Sequence, residues 1–247
     1  MLKMDIYLKM LLLTTWKEKL KMRLKENNKP LSSSPYALRH TPYALRSPFL
    51  IGLTGNIAVG KSTVAEFLRQ KTATIIDVDK LGHKILYKSE IKEKLITTFG
   101  KDILIENEIA RNKLANIVFS NKQNLAILNK IVHPHLLKLI DYEIKRHSNE
   151  KIIVMDSALI IEWNLQTKLD YLIVVTCSPE KQLQRLVKYK SLSVQEAKHR
   201  ISAQMNQQKK INLADFVITN NDSKHALQKQ VDKLYIKLIE FCHLNKE

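Results

Sequence analysis

The sequence predicts an α/β protein built on a five-stranded parallel β-sheet with helices on both faces. Two observations lead to this prediction. Short apolar runs alternate along the chain with helix-prone stretches, as they do in doubly wound sheets. The first run passes through a glycine-bearing turn directly into a helix that begins near Lys61. The five predicted strands are Phe49 to Leu53, Ala73 to Ile76, Ile152 to Asp156, Tyr171 to Val175 and Phe216 to Thr219.

The turn after the first strand reads G-x-x-x-x-G-K-S, which is typical of a phosphate-binding loop. The two glycines let the backbone wrap closely around a polyphosphate, and successive N–H groups point at the anion. The positive end of the following helix adds to the attraction. Lys61 can reach the β- and γ-phosphates, and the Ser62 hydroxyl can bind Mg²⁺. The candidate ATP-binding residues of this stretch are Gly55, Ala58, Val59, Gly60, Lys61, Ser62 and Thr63.

Composition and cysteine content exclude several classes of protein. The charged fraction of 26% and the hydrophobic fraction of 45% are those of a soluble globular protein. Cys177 and Cys242 are too few and too far apart for a disulfide scaffold or a zinc site. No apolar run is long enough to span a membrane. We therefore expect a cytoplasmic protein with no membrane partner, and no oligomeric state is predicted.

The formal net charge of +17 favours an enzyme that acts on polyanionic small molecules. A basic surface could also bind nucleic acid. However, the basic residues are scattered along the chain, with no basic block interleaved with aromatic residues. We therefore expect no nucleic-acid partner.

Residues 1–48 are predicted to form a poorly ordered basic extension, and residues 49–247 the folded domain. Ten of the 41 basic residues but only three of the 24 acidic residues lie within residues 1–49. Four prolines, at positions 30, 35, 42 and 48, interrupt regular structure there. A targeting peptide, a membrane-surface helix and a mistaken start codon are alternatives.

The helices are predicted in order from periodicity and capping residues. Four helical stretches precede the third strand, namely Lys80 to Tyr87, Glu90 to Phe99, Asn112 to Phe119 and Gln123 to Arg146. Pro134 is expected to interrupt the last of these and to start a new helix. Because this region is too long for a simple crossover, residues from about 80 to 147 are expected to form a helical subdomain.

The helices after the fourth strand have clear start signals. Ser178 is a candidate N-cap, with Pro179 at the first helical position. Ser193 and Glu196 form a candidate capping box. The closing helix is expected from Ala226 to Phe241.

Chemically useful side chains cluster where the predicted strands end, which is where doubly wound sheets bind ligands. Asp77 and Asp79 follow strand two, Asp156 ends strand three and Asn220 follows strand five. Each of these residues alone is more often a turn former or a helix cap. Residues two apart in an extended chain point the same way, so spacing does not choose between Asp77 and Asp79.

Together these stretches resemble the dephospho-coenzyme A kinase family, a family of P-loop kinases. The resemblance covers roughly residues 50–240 and includes the phosphate-binding loop. The other matching pieces include Arg111-Asn112-Lys113-Leu114, Asp156 to Glu162, Arg200 to Gln204 and Ala214 to Asn221. The most specific pieces, in combination, are Ile76-Asp77-Val78-Asp79, His133-Pro134 and Ser178 to Arg185.

The resemblance implies phosphorylation of the ribose 3′-hydroxyl of dephospho-CoA by ATP with Mg²⁺, the last step of coenzyme A synthesis. It implies that Asp79 is the base and that Arg185 binds phosphate beside Lys61. It adds Asn220 to the ATP site and brings Arg111, His133 and Glu162, with Asp79, to the substrate side. The helical insertion would hold the pantetheine-bearing substrate, and residues from about 186 to 212 would form a lid.

The chain departs from the family pattern at a few positions. Asn56, Ala58 and Val59 stand where the family's loop carries more glycine and serine. Tyr189 stands at a usual arginine position, between two lysines. Two other functions stay open, another P-loop kinase acting on a nucleoside or nucleotide and a nucleic-acid-stimulated ATPase. A GTPase is disfavoured because the guanine-binding Asn-Lys-x-Asp tetrapeptide does not occur.

Overall fold

A computed structural model describes residues 48–119 and 121–244 of the chain. Its main sheet has five parallel strands in the order β2-β5-β1-β6-β7, which confirms the predicted fold class. The strands of this sheet are β1 (Phe49–Thr54), β2 (Thr74–Asp77), β5 (Ile152–Asp156), β6 (Tyr171–Thr176) and β7 (Phe216–Thr219). The prediction for residues 1–48 falls, except for Pro48, outside the described residues.

The three central strands, β5, β1 and β6, are buried along their whole length, as their continuous apolar runs require. Strand β1 lies at the centre, where Ile51 pairs with Val154 of β5 on one side and Tyr171 of β6 on the other. Leu50 packs into the cluster that includes the helices between β2 and β5. Ile51 and Leu53 alternate with Leu50 along the strand and are also fully buried. Because all the strands are parallel, their carboxyl ends meet at one edge.

The helices follow the predicted order, with three kinds of unpredicted element, namely a short hairpin, two 3₁₀ turns and the helix Gln207–Leu213. A short hairpin, β3 (Leu104–Ile105) with β4 (Glu108–Ile109), lies within the helical insertion. Short 3₁₀ turns cover Lys101–Ile103 and Leu165–Lys168. The helices are α1 (Lys61–Gln70), α2 (Val78–Leu86), α3 (Ser89–Phe99), α4 (Arg111–Phe119), α5 (Lys122–Arg146), α6 (Pro179–Lys190), α7 (Val194–Ser202), α8 (Gln207–Leu213) and α9 (Lys224–Leu244).

The predicted helix starts at α6 and α7 are confirmed. The Ser178 hydroxyl accepts a hydrogen bond from the N–H of Lys181, and proline occupies the first turn of α6. Ser193 and Glu196 form both hydrogen bonds of a capping box at α7. α6 therefore begins shortly after β6 ends at Thr176, and α7 follows α6.

The predicted helix break at Pro134 is wrong, because α5 runs without interruption from Lys122 to Arg146. A proline inside a helix costs about 3 kcal/mol. Packing offsets this cost, since Leu136 and Ile140 beyond the proline and Ile131 before it all contribute to the same apolar cluster. The two halves of the helix are therefore held in line by the core.

None of the helices within residues 48–119 and 121–244 combines the length and the apolarity that a membrane span requires.

Candidate active site

The phosphate-binding loop is held from outside by side chains of other elements. Three consecutive carbonyl groups of the loop accept such hydrogen bonds, at Ile57 (from Gln182, 2.7 Å), Ala58 (from Arg185, 3.4 Å) and Val59 (from Asn220, 2.8 Å). In a trans peptide the N–H points away from the preceding carbonyl. The next three N–H groups, of residues 58 to 60, therefore face the opposite side and form a site suited to an anion.

Glycine is required at two loop positions for steric reasons. At Gly60 the backbone has φ of 97°, and a Cβ atom would lie 2.1 Å from Nδ2 of Asn220. At Gly55 a Cβ atom would lie 2.4 Å from the carbonyl oxygen of Val175. Helix α1 begins directly after Gly60, so its N-terminus faces the loop.

Lys61, Asp156 and Asp79 form a charged cluster beside the loop. Nζ of Lys61 donates a hydrogen bond to Asp156 and lies 3.9 Å from Oδ2 of Asp79. Asp156 ends β5 and is buried, which raises its carboxyl pKa; Lys61 opposes this shift, whereas Asp79 and Asp77 add to it. The cluster therefore combines one lysine with several carboxylates at the carboxyl edge of the sheet.

The structure separates Asp77 from Asp79, which the sequence could not. The chain is not extended here, because β2 ends at Asp77 and α2 begins at Val78. Asp77 caps α2 by accepting a hydrogen bond from the N–H of Lys80 at 2.9 Å. Burial raises the pKa of Asp77, but the hydrogen bonds and charge of Lys80 outweigh it and leave the pKa lowered. The helix cap is thus Asp77 and not Asp79.

Asp79 is held in place by the segment that follows β5. Its Oδ1 accepts a hydrogen bond from Oγ of Ser157 at 2.6 Å, and its Oδ2 accepts one from the N–H of Ala158 at 3.3 Å. Its side chain remains 38% exposed, so a ligand can reach the carboxylate. Asp79 is therefore fixed and accessible next to Lys61.

Arg185 projects from α6 onto the loop. Its Nη1 donates to the carbonyls of Ala58 and Val59, and its Nη2 donates to the carbonyl of Asn220 at 2.9 Å. These contacts use only part of its donor set, because a guanidinium carries five N–H groups. Arg185 thus joins the loop to the end of β7 and still faces the ligand cavities.

Two cavities, of about 620 and 390 Å³, flank the loop. They share Gly60, Ser62, Arg185 and Tyr189 in their walls. The larger extends past Thr63 towards the start of α9, and the smaller lies over the loop and reaches Ala158. The ring of Tyr189, 70% exposed, stands where the two cavities meet.

Of the predicted substrate residues, Arg111 contacts α2 directly, and His133 lies beside a tryptophan that approaches α2. Nη1 of Arg111 lies 3.0 Å from Nδ1 of His83. The ring of His133 lies 6.2 Å from that of Trp163, which is itself adjacent to Gly82. Burial, and secondarily the charge of Lys168, lowers the pKa of His133, so its imidazole is neutral at pH 7.

Glu162, the third predicted substrate residue, forms an ion pair with Lys210, at 2.8 Å between Oε1 and Nζ.

Several side chains of the site have roles that were not predicted from the sequence. Ser157 holds Asp79, Gln182 holds the loop, and Gln204 accepts a hydrogen bond from the N–H of Ile57 at 2.7 Å. Lys210 donates to the carbonyl of Ala158. Gln182 and Gln204 lie in stretches that resemble the family, which was the only signal available for them.

The donor set near the loop fits Mg²⁺. Within the described part of the chain, no group of three or more His, Cys, Asp or Glu side chains could hold a metal ion. Mg²⁺ does not need one, because it commonly binds one or two protein oxygens together with water and substrate phosphates. The Ser62 hydroxyl, in the wall of both cavities, is such a protein oxygen.

The family model and the curated relatives point to one family. The family model described as dephospho-CoA kinase matches residues 49–226. A dephospho-CoA kinase of Carboxydothermus hydrogenoformans is 42% identical over 186 residues, which cover 74% of this chain and 90% of the relative. A dephospho-CoA kinase of Fusobacterium nucleatum is 37% identical over 188 residues, covering 76% of this chain and 97% of the relative.

Two solved structures are similar to this chain in both sequence and fold. A crystal structure of a Thermus thermophilus protein superposes with a TM-score of 0.69 at 29% identity, covering 77% of this chain and 98% of that one. The dephospho-CoA kinase of Campylobacter jejuni gives a TM-score of 0.50 at 28% identity, with coverages of 78% and 98%. With a family match over most of the chain, these similarities show that the chain belongs to the dephospho-CoA kinase family.

Proposed function

We propose that this chain, an ATP-dependent kinase by family, transfers the γ-phosphoryl group of ATP to the ribose 3′-hydroxyl of dephospho-CoA. The products are coenzyme A and ADP. The observation that carries the proposal is the position of Asp79. Its fixed carboxylate lies 3.9 Å from Nζ of Lys61, beside a phosphate-binding loop. A carboxylate held at this point can orient an acceptor hydroxyl and take its proton, as phosphoryl transfer to an alcohol requires.

In the proposed reaction Asp79 orients the 3′-hydroxyl and accepts its proton as the oxygen attacks the γ-phosphorus. The bond between the γ-phosphorus and the β–γ bridging oxygen breaks, and ADP leaves. Lys61 and Arg185 balance negative charge on the transferring group. The loop residues and Asn220 hold the triphosphate. Ser62 would hold Mg²⁺, which supplies further charge neutralisation when bound.

The helical insertion, residues from about 80 to 147, is proposed to bind the remainder of dephospho-CoA. Arg111 is suited to a phosphate of the substrate, since its guanidinium is always charged. His133 is neutral at pH 7 and would act as a hydrogen-bonding partner. Glu162 is proposed to lie on the substrate side of the site, where it is paired with Lys210. Residues from about 186 to 212 form the proposed lid, and the cytoplasmic setting stays a prediction.

The test is ATP consumption by the purified chain with and without dephospho-CoA, with the product identified by mass. Coenzyme A is the matched control acceptor, because its 3′-position already carries a phosphate. We expect turnover with dephospho-CoA and none with coenzyme A. Equal turnover with adenosine or another nucleoside would favour the rival kinase function. Turnover that depends on DNA or RNA would favour the rival ATPase.

A further inference from the structure

We propose that Lys210 is a positioning residue for phosphoryl transfer, which acts on Asp79 through a chain of three hydrogen bonds. The inference rests on the proposed function, because it takes Asp79 as the base. Lys210 lies on α8, is not itself part of either cavity wall, and reaches Asp79 only through other groups.

Lys210 is a buried cation with two partners. Its side chain is 1% exposed, which is rare for lysine and tolerated only when the charge is compensated. Nζ lies 2.8 Å from Oε1 of Glu162 and donates a hydrogen bond of 2.7 Å to the carbonyl oxygen of Ala158. The ion pair with Glu162 satisfies the charge. The second bond directs the ammonium group onto the backbone beside the active site.

The carbonyl of Ala158 begins a continuous path to Asp79. It belongs to the same peptide unit as the N–H of Leu159, and that N–H donates to Oγ of Ser157 at 3.1 Å. Oγ of Ser157 in turn donates to Oδ1 of Asp79 at 2.6 Å. Consecutive hydrogen bonds polarise one another, most strongly away from water. A cation at one end of this path therefore strengthens the bond that holds the carboxylate at the other end.

The path also fixes the direction of the Ser157 hydroxyl. One lone pair of its oxygen accepts from Leu159, which turns its proton towards Asp79. Ser157 is fully buried, so water does not compete for this proton. Loss of Lys210 would loosen the peptide unit after Ala158 and misplace the carboxylate. A small displacement of a reacting group is costly for rate even when binding is unchanged.

The same segment of the chain touches the loop. Gln204 accepts a hydrogen bond from the N–H of Ile57, and Nδ2 of Asn56 donates to the carbonyl of Met205 at 3.1 Å. Lys210 follows within six residues and reaches the support of Asp79. Residues 204–210 therefore set the base and the phosphate loop relative to each other.

The experiment measures single-turnover transfer to dephospho-CoA, together with kcat and both KM values, for Lys210→Met. We expect kcat to fall roughly tenfold with both KM values within about twofold of wild type. Methionine keeps the unbranched length of the side chain, and Glu162 can reach water because it is 23% exposed. The matched control is Lys71→Met, which removes an ion pair of equal length, 2.8 Å to Asp232, away from the site. The control should keep wild-type kcat.

A double-mutant cycle separates positioning from a general loss of stability. Ser157→Ala breaks the same path, so we expect a similar fall in kcat, and the double variant should be no slower than the slower single variant. If the falls in kcat of the two single variants multiply in the double variant, the inference is overturned. It is also overturned if Lys210→Met keeps wild-type kcat. If Lys210→Met does not fold, a wild-type kcat in Ser157→Ala is enough by itself to overturn the inference. Wild-type enzyme that fails to phosphorylate dephospho-CoA would instead refute the proposed function.

Discussion

Replacement of Asp79 by asparagine tests the proposed base most directly. Asparagine has nearly the shape of aspartate but cannot accept the proton of the substrate hydroxyl. We expect transfer to dephospho-CoA to slow by roughly a hundredfold or more. Affinity for ATP should change little, because the loop, Lys61 and Arg185 are intact.

The structure limits how much stability the change can cost. Asp79 does not cap α2, so no cap is lost. The amide oxygen of the new asparagine can keep one of the two hydrogen bonds from Ser157 and Ala158. The other bond is lost, which costs about 1 kcal/mol. The ion pair with Lys61 is long and partly exposed, and contributes at most about 1 kcal/mol. A loss of 1 to 2 kcal/mol lowers Tm by roughly 2 to 8 °C in a domain of this size.

The assay combines Tm, ATP affinity and single-turnover rate on one preparation. Asp77→Asn is the matched comparison, because asparagine is also a good N-cap and should retain the hydrogen bond from Lys80. Asp77→Asn should lose far less rate than Asp79→Asn. A near-normal rate in Asp79→Asn, or the larger loss at Asp77, would refute the assignment of the base.

Three further predictions follow from the site and its boundary. Lys61→Ala should reduce the rate of transfer below a tenth of wild type. It should also lower Tm, because Asp156 then lies buried without its cation. A transfer rate above a tenth of wild type contradicts the role of Lys61. Because burial raises the pKa of Asp156, its stabilising contribution is complete below its ordinary pKa and is lost as pH rises through the raised value. Urea unfolding from about pH 4 to about pH 7 should therefore show the free energy of unfolding of wild type falling relative to Asp156→Asn, and the opposite slope would contradict this. A chain that begins at Ser47 should fold and keep its activity, since β1 begins at Phe49 and the family match begins at residue 49; an insoluble or inactive product would place the boundary earlier.

The sequence predicted the sheet, the loop and the helix starts because their signals are local. A buried parallel strand reads as a continuous apolar run, and the loop needs glycine where a Cβ atom would collide with its surroundings. Ser178 and Ser193 each make their capping contacts within three residues. Local patterns of this kind require no knowledge of the rest of the chain.

The sequence failed where distant contacts decide. Asp77 ends the strand, whereas Asp79 lies in the first turn of the helix. The helix begins at Val78, two residues before its predicted start at Lys80, so the two side chains do not alternate as they would in an extended chain. Pro134 stays inside α5 because the core holds both halves of the helix. Ser157 lies 78 residues from Asp79, and Lys210 lies 52 residues from Ala158, so no local pattern announces either contact.

The loop of this chain can dispense with glycine at two positions because its shape is imposed from outside. Ala58 adopts φ of 61°, which costs an alanine roughly 1 kcal/mol, yet its carbonyl is held by Arg185. Val59 is fully buried, and Asn220 holds its carbonyl. The anchoring side chains are Gln182 and Arg185 on α6 and Asn220 directly after β7. Both elements therefore shape the anion site, although they lie outside the loop. The anchors hold the loop carbonyls whichever side chains residues 58 and 59 carry, so loss of an anchor should disturb the loop more than a substitution within it.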